Sequence, residues 1–438
     1  MKLFNRLMVL IPALIFVFAT GGRAVSVDIR HYDMSIKHDK PDSVFRITCE
    51  MNLYKDIGVD TLQFYFTPYA TIDSISFRLT DSNLIGLFRF EWRLLNVAVP
   101  PQLHDDSLIS VIFKYTLPAP GFYDNFILEQ HQSWYPQISN DPATFKIAAL
   151  VYPTYITISN GDHPAVSDKG DVKEFIWESK TPVQKLTLLL AQSNLYETVM
   201  RKAGGSGVEI HFYSETVDEA ARHRIAEQAA AMMDYYNEKL GDYSYRRLSI
   251  VETPNKAGGD VGAGLIFIGP DLIGQFLAGD YEELAAMVAM QWVGHGMYPV
   301  LRGPGAFFLG LSLPQHLKLM YLRHAQGEAA FEHALQLLIE QYRTVEGHID
   351  EPTLLDIDLP RSDVKTKVLV GKGPYVCELL HQDIGEDKYF KLLKGMYTDM
   401  KGCLFGYEDL AKYLIKVDPD SSGYIKLNKL MTETGLPK

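Results

Sequence analysis

Apolar and polar residues alternate through much of the first half of the chain. Phe45, Ile47, Cys49, Met51 and Leu53 fall on every second position, the period of a strand that buries one face. The same period returns in Leu62, Phe64 and Phe66, in Ile75, Phe77 and Leu79, in Phe88, Phe90, Trp92 and Leu94, and in Ile109, Val111, Phe113 and Tyr115. Further strands are expected over 147–152, 175–177 and 185–191. Short alternating runs separated by turn residues predict an antiparallel β-sandwich, placed at residues 25–202.

The pattern changes after the Ala-Gly-Gly-Ser-Gly stretch at 203–207, which reads as a flexible domain boundary. A strand is expected over 208–212. A long helix follows, with Thr216 and Glu219 as a capping box, an apolar stripe through Val217, Ala221, Ile225, Ala229, Met232, Tyr236 and Leu240, and Gly241 as its stop. Strands are expected over 248–251 and 265–268, then helices near 281–294, 313–326, 330–344, 366–383, 386–398 and 407–416. Strands first, then a mixed region, then helices predict a multidomain chain. Its second unit, 208–438, is an α+β domain with a helical C-terminal lobe.

At the start, Lys2 and Arg6 precede an apolar run over 7–19, and small residues follow it up to Ala24. That arrangement predicts a signal peptide over 1–24, too short to span a bilayer comfortably. The expected location is therefore periplasmic or secreted, with no stable membrane span after signal removal. The formal net charge is -12, and losing Lys2, Arg6 and Arg23 makes the chain more acidic still. Such a surface repels phosphate backbones, so nucleic acid is not an expected partner. Cys49, Cys377 and Cys403 allow at most one disulfide, so packing carries the stability.

Several segments together resemble one family, the membrane alanyl aminopeptidases, which are gluzincin zinc enzymes with a β-sandwich followed by a thermolysin-like domain. They are Lys180-Thr181-Pro182-Val183 with Leu188-Leu189-Leu190-Ala191, the glycine-rich run from Lys256 to Phe267, Gln291-Trp292-Val293-Gly294, Gly371-Lys372-Gly373, Ile384-Gly385-Glu386 and the closing Gly435-Leu436-Pro437. The resemblance covers roughly residues 120–438, and the order of the segments carries it. It implies that the run from Lys256 to Phe267 is a substrate-binding edge strand, with Gly258, Gly259, Asp260, Val261 and Gly264 as its binding residues.

The chemistry the resemblance would bring does not match the residues. An enzyme of this type holds zinc with the two histidines of H-E-x-x-H on one helix face, and the glutamate between them deprotonates the metal-bound water. The corresponding positions here are Ala286, Met287 and Met290. Alanine has no donor atom, and a thioether is a soft ligand that favours copper(I) over zinc. The third ligand position falls on Leu309, with Leu311 as the second choice. The oxyanion tyrosine falls on Val370, and Tyr375 is five positions away. The amine-gripping glutamate falls on Val261, beside Asp260. Apolar replacements at all the reacting positions predict a catalytically inactive, aminopeptidase-like chain with no metal and no cofactor at this site, packed there as ordinary core.

Two other constellations have alternative readings. His316, Met320, His324 and Glu328 are spaced four apart, with His295 near in sequence, and form either a relocated metal site or a half-exposed polar stripe. The run from Asp418 to Ile425 resembles the first half of a calcium loop, but Lys429 stands where a bidentate glutamate is needed, so a tight turn is the other reading. The expected function is binding of a peptide or an envelope protein. Residual hydrolysis at a non-standard site and a structural role in an assembly are the alternatives.

Overall fold

A computed structural model describes residues 27–39, 41–80, 82–119, 125–129, 132–138, 142–253 and 258–437. The expected signal peptide lies outside the described residues. The alternating runs of the first half become β1 (Val27–Asp39), β2 (Val44–Lys55), β3 (Thr61–Tyr65), β4 (Thr71–Arg78), β5 (Asn83–Ile85), β6 (Phe88–Glu91), β7 (Leu94–Ala98), β8 (Leu108–Pro118), β9 (Asn125–Leu128), β10 (Ala143–Val151), β11 (Tyr155–Ser159), β12 (Ala165–Asp168), β13 (Lys173–Val183) and β14 (Leu188–Gln192). An eight-stranded sheet runs β12-β13-β10-β1-β2-β8-β4-β5, and two three-stranded sheets run β3-β7-β6 and β11-β14-β9. The small sheets close over one face of the large one. Phe64 of β3 meets Phe113 of β8 edge-on, with ring centroids 5.1 Å apart, and Phe45 of β2 meets Phe126 of β9 at 5.2 Å.

Two expectations change here. The sandwich is mixed rather than antiparallel, because β1 pairs with β10 in parallel from His31↔Thr144 to Lys37↔Leu150. Those strands are far apart in sequence, so no hairpin forces them antiparallel. The run from Phe88 to Leu94 is two strands and not one. Trp92 turns with φ 53° between β6 and β7 and is 72% exposed, so its place in the alternation reflects no core contact.

The second half opens with β15 (Glu197–Lys202), β16 (Glu209–Ser214), α1 (Glu219–Leu240), β17 (Arg247–Glu252), β18 (Gly259–Gly262) and β19 (Leu265–Ile268). The sheet order is β15-β16-β17-β19-β18. The 203–207 stretch therefore turns between two strands of one sheet instead of linking domains, and Ser206 N bonds Asp234 Oδ1 at 2.7 Å. Helix α1 is capped by Asp218, whose Oδ1 accepts from Ala221 N at 2.8 Å. The expected box on Thr216 does not form, because the buried Glu252 carboxylate accepts from the hydroxyls of Thr216 and Ser214.

The remaining elements are α2 (Pro270–Leu277), α3 (Glu282–Ala289), β20 (Tyr298–Pro299), α4 (Leu313–Gln326), α5 (Glu328–Arg343), α6 (Asp363–Lys367), α7 (Gly373–Ile384), α8 (Glu386–Met400), β21 (Leu404–Phe405), α9 (Tyr407–Val417) and α10 (Ser422–Thr432). One π-helical segment, Phe308–Ser312, leads into α4, and another, Val368–Lys372, lies between α6 and α7. The helix expected over 281–294 stops at Ala289, since the chain reverses through Gly294 with φ 133°. The near-calcium sequence is the tight turn of the second reading. Asp418 accepts from Lys388 Nζ at 2.7 Å and Gly423 N at 3.0 Å, and α10 begins four residues later. All three cysteines are free. No helix of the described residues is long and apolar enough to cross a membrane.

Candidate functional site

Strand β18 lies at the end of the five-stranded sheet, antiparallel to β19 in the register Gly259↔Ile268 to Gly262↔Leu265. Gly264, with φ 71°, makes the turn between them. The buried Gln291 holds this turn from below. Its Oε1 accepts from Gly264 N at 2.9 Å and from the Tyr243 hydroxyl at 3.0 Å, and its Nε2 donates to Gly262 O at 3.0 Å. The neighbouring Trp292 Nε1 donates to Gly241 O at 2.7 Å, tying the segment to the end of α1.

The register fixes which backbone groups of β18 face outward. Gly269 N donates to Gly258 O, so 258↔269 is a hydrogen-bonded pair, and the alternation of an antiparallel ladder makes 260↔267 and 262↔265 hydrogen-bonded too. The N–H and C=O groups of Gly259 and Val261 then point away from β19. Val261 N is in fact bonded to Asp260 Oδ1 at 2.9 Å. Among the described residues no strand pairs with this outer side.

Helix α3 runs beneath. Ala286 and Met287 are fully buried on it, and Met290 at its end is half-buried. Met287 fills the space under the edge strand so closely that a Cβ on Gly259 would lie 1.8 Å from Met287 Cε. Leu309 is buried in the first π-helical segment and Val370 half-buried in the second. These two segments pack on each other, with Ser312 Oγ donating to Leu369 O at 2.6 Å. A Cβ on Gly373 would meet Ser312 Oγ at 2.0 Å. Each π turn holds one extra residue, a distortion frequent at functional sites. The side chains of Ala286, Leu309 and Val370 offer no donor atom, the Met287 thioether is a soft donor poorly suited to zinc, and Leu311 and Tyr375 are half-buried.

Polar groups remain near the edge strand. His295 is buried, and burial pushes its imidazole pKa down to about 3, with the Lys185 charge lowering it further and the Asp260 charge opposing. Lys185 arrives from the segment before β14 and Asp260 from β18, so the three groups share one electrostatic neighbourhood. The sequence pattern gave neither Lys185 nor His295 a place here, because they come from three separate segments.

The histidine stripe on α4 does not assemble a metal site. His316 is fully buried, hydrogen-bonded through Nδ1 to the Tyr389 hydroxyl at 2.8 Å and through Nε2 to Glu378 Oε2 at 3.0 Å. His324 is exposed and stacks on Tyr235 with centroids 4.8 Å apart, while Glu328 pairs with Arg323. One end of the stripe is core and the other is surface.

No known protein family matches the sequence, and no curated protein does. Solved structures match closely in shape. The M1 zinc metallopeptidase of Deinococcus radiodurans superposes with a TM-score of 0.72 at 13% identity, over 94% of this chain and 95% of that one. The fold is that of the M1 zinc metallopeptidases. A mutant of the same Deinococcus enzyme bound to a Tyr-Ser-Ala substrate gives 0.75 at 13% identity, over 96% and 98%. A two-domain M1 zinc metallopeptidase mutant bound to L-tryptophan gives 0.76 at 13% identity, over 96% and 98%. The match reaches beyond the segments that carry the sequence resemblance and includes the β-rich first half.

Proposed function

We propose that this aminopeptidase-like chain is a non-catalytic protein of the cell envelope that receives a peptide, or a strand of a protein partner, along β18. The observation that carries the reading is the outer side of β18, where the N–H and C=O of Gly259 and the C=O of Val261 face away from β19, the Val261 N–H is held only by the neighbouring Asp260 carboxylate, and no strand of the described residues pairs. An extended peptide adds to such an edge by main-chain hydrogen bonds, a mode that needs no metal. Asp260, with Lys185 and His295 around it, supplies charge for a peptide terminus. A structure of the same fold holds a Tyr-Ser-Ala substrate, which supports peptide as the ligand class. Absence of catalysis rests on the apolar side chains of Ala286, Met287, Leu309 and Val370 and the soft thioether of Met290. Envelope location rests on the signal-like residues 1–24.

The test is fluorescence anisotropy with labelled peptide libraries, run on the purified chain and on Val261→Pro. Proline removes an outward N–H that the β19 ladder does not use and that an incoming strand would take over from the Asp260 carboxylate. The variant is expected to lose some stability with the Asp260 bond and at least about tenfold in affinity, the equivalent of one hydrogen bond at the upper end of its usual worth. Equal binding by the two proteins, or no binding by any library member, would refute the edge-strand reading. Chelator-sensitive cleavage of aminoacyl reporters would refute the non-catalytic reading and favour a residual hydrolase.

A further inference from the structure

A second constellation of donor groups lies away from β18, where the two halves of the fold meet. Residues 160–163, just after β11, run onto the five-stranded sheet. Asn160 is fully buried there, donating through Nδ2 to Ala263 O at 2.9 Å and accepting Thr187 N at 2.8 Å. Gly161 has φ 90°, and a Cβ on it would lie 2.5 Å from Glu178 O. Asp162 Oδ1 accepts from Arg246 N at 2.7 Å. With its three predecessors anchored, His163 is delivered to one place beside β16.

Glu209 and His211 stand two apart on β16 and so project from one face of the strand. Nε2 of His163 is 2.9 Å from Glu209 Oε2, and Nε2 of His211 is 3.2 Å from the same oxygen. The two imidazole centroids are 5.1 Å apart. Ligand atoms of all three residues lie within 4.8 Å of one another, and among the described residues no other such group of histidine, cysteine and carboxylate side chains occurs.

We propose that His163, Glu209 and His211 bind a divalent transition metal, zinc above all, and that the ion pins the 160–163 segment to β16. Imidazole and carboxylate are the donors zinc takes alongside thiolate. With zinc–ligand bonds of about 2.0–2.1 Å, neighbouring ligand atoms of a tetrahedral site stand about 3.4 Å apart. The observed separations need only small side-chain adjustments to reach that. On binding, the ion takes the Nε2 lone pairs and the Glu209 carboxylate, and each imidazole stays neutral, its ring proton moving from Nε2 to Nδ1 by way of solvent. His163 and Glu209 are part-exposed, which opens an entry path and leaves the remaining coordination positions to water. Arg247 limits the affinity. Its guanidinium is held by Ser249 Oγ and the Tyr213 hydroxyl, with Nη1 3.5 Å from His163 Nδ1. That positive charge opposes a cation, so binding is expected to be weaker than at a buried four-ligand structural site.

The test is calorimetric titration of the chelator-stripped full chain with zinc chloride, together with thermal melts with and without zinc. One saturable equivalent is expected, along with a zinc-dependent rise in melting temperature, since a ligand that binds only the folded state stabilises it. Glu209→Gln and His211→Ala are each expected to weaken binding more than about tenfold, as loss of even a supporting group does at metal sites, and to abolish the thermal shift. His223→Ala, at an exposed histidine elsewhere, is expected to change neither. If His211→Ala does not fold, His163→Gln in the part-exposed segment gives the same reading. No saturable binding at millimolar zinc, or unchanged binding in Glu209→Gln and His163→Gln, would overturn the assignment.

Discussion

Gly259 and Met287 show how one missing side chain makes room for another. A Cβ at Gly259 would meet Met287 Cε at 1.8 Å and Leu272 Cδ1 at 3.0 Å, so Gly259→Ala is expected to cost about 1–3 kcal/mol by overpacking. Met287→Ala alone leaves a cavity and is expected to cost about 2–5 kcal/mol. The double variant should be more stable than the sum of the two costs allows, because the new methyl occupies part of the vacated space. Urea unfolding of the four proteins checks this, and strictly additive costs would mean the two residues do not touch. His295 gives a pH prediction at the same scale. Burial, with help from Lys185, lowers its pKa from 6.5 to about 3, so the unfolded chain takes up a proton that the folded chain refuses. Its contribution to stability is complete above pH 6.5 and is lost as the pH falls toward 3, amounting to about 2 kcal/mol by pH 5. His295→Gln should remove that part of the difference between urea unfolding at pH 7 and pH 5. His211, lowered to about 4 mainly by burial, and His316, lowered mainly by burial, have the same sign, so the slope shrinks without vanishing.

Between elements, Glu378 joins α4 to α7. It accepts from His316 and Arg323 on α4 and from Gln382 on its own helix. Burial alone would push its carboxyl pKa up, but the bonds from His316 and Gln382, with the His381 ring nitrogen 3.2 Å away, outweigh that and hold it well below the usual range. Glu378→Ala strips the buried partners of their acceptor and is expected to cost about 3–5 kcal/mol. Glu378→Gln keeps the shape and should cost less, and equal costs in denaturant melts would show that packing rather than charge matters at this junction. Nothing in the sequence pattern exposes this pair, since His316 and Glu378 are 62 positions apart. The strands were legible because alternation is a local signal, and α4, α5, α8 and α9 because an apolar stripe is one too. Helices α2 and α10 escaped notice, as did the two π-helical segments, whose extra residue barely disturbs a helical apolar spacing. The glycine-rich stretch at 203–207 misled because a hairpin turn and a linker draw on the same residues. At the site, the edge position of β18 was legible through the family resemblance, but the run read as one edge strand is the β18–β19 hairpin with β19 inside the sheet, and the direction of the outward backbone groups needed the register.

At the scale of the molecule, the match to a two-domain M1 zinc metallopeptidase runs over 96% of the chain, and several contacts bind its two halves together. Tyr298 donates to Pro182 O at 3.1 Å, and Arg247 lies 5.5 Å from the Trp177 ring centre. Asn160, fully buried, touches the turn of the candidate binding edge directly through Ala263 O. Asn160→Ala leaves that carbonyl and the Thr187 N–H buried without their partner, a loss expected to cost about 2–4 kcal/mol. Asn160→Asp keeps an acceptor for Thr187 but replaces the donor to Ala263 with a buried carboxylate oxygen facing that carbonyl, so it strikes the contact across the halves harder than the one within the first half. If the halves unfold as one unit, tryptophan fluorescence and far-ultraviolet circular dichroism should give coincident urea transitions for the unaltered chain. In Asn160→Ala the two probes should separate, because the pin between the halves is weakened while each core is intact. Peptide affinity should fall in both variants, since the β18–β19 turn is no longer held in place by a side chain from the other half. Coincident transitions at an unchanged midpoint, with affinity intact, would show that the first half is only a neighbour of the binding edge and does not support it.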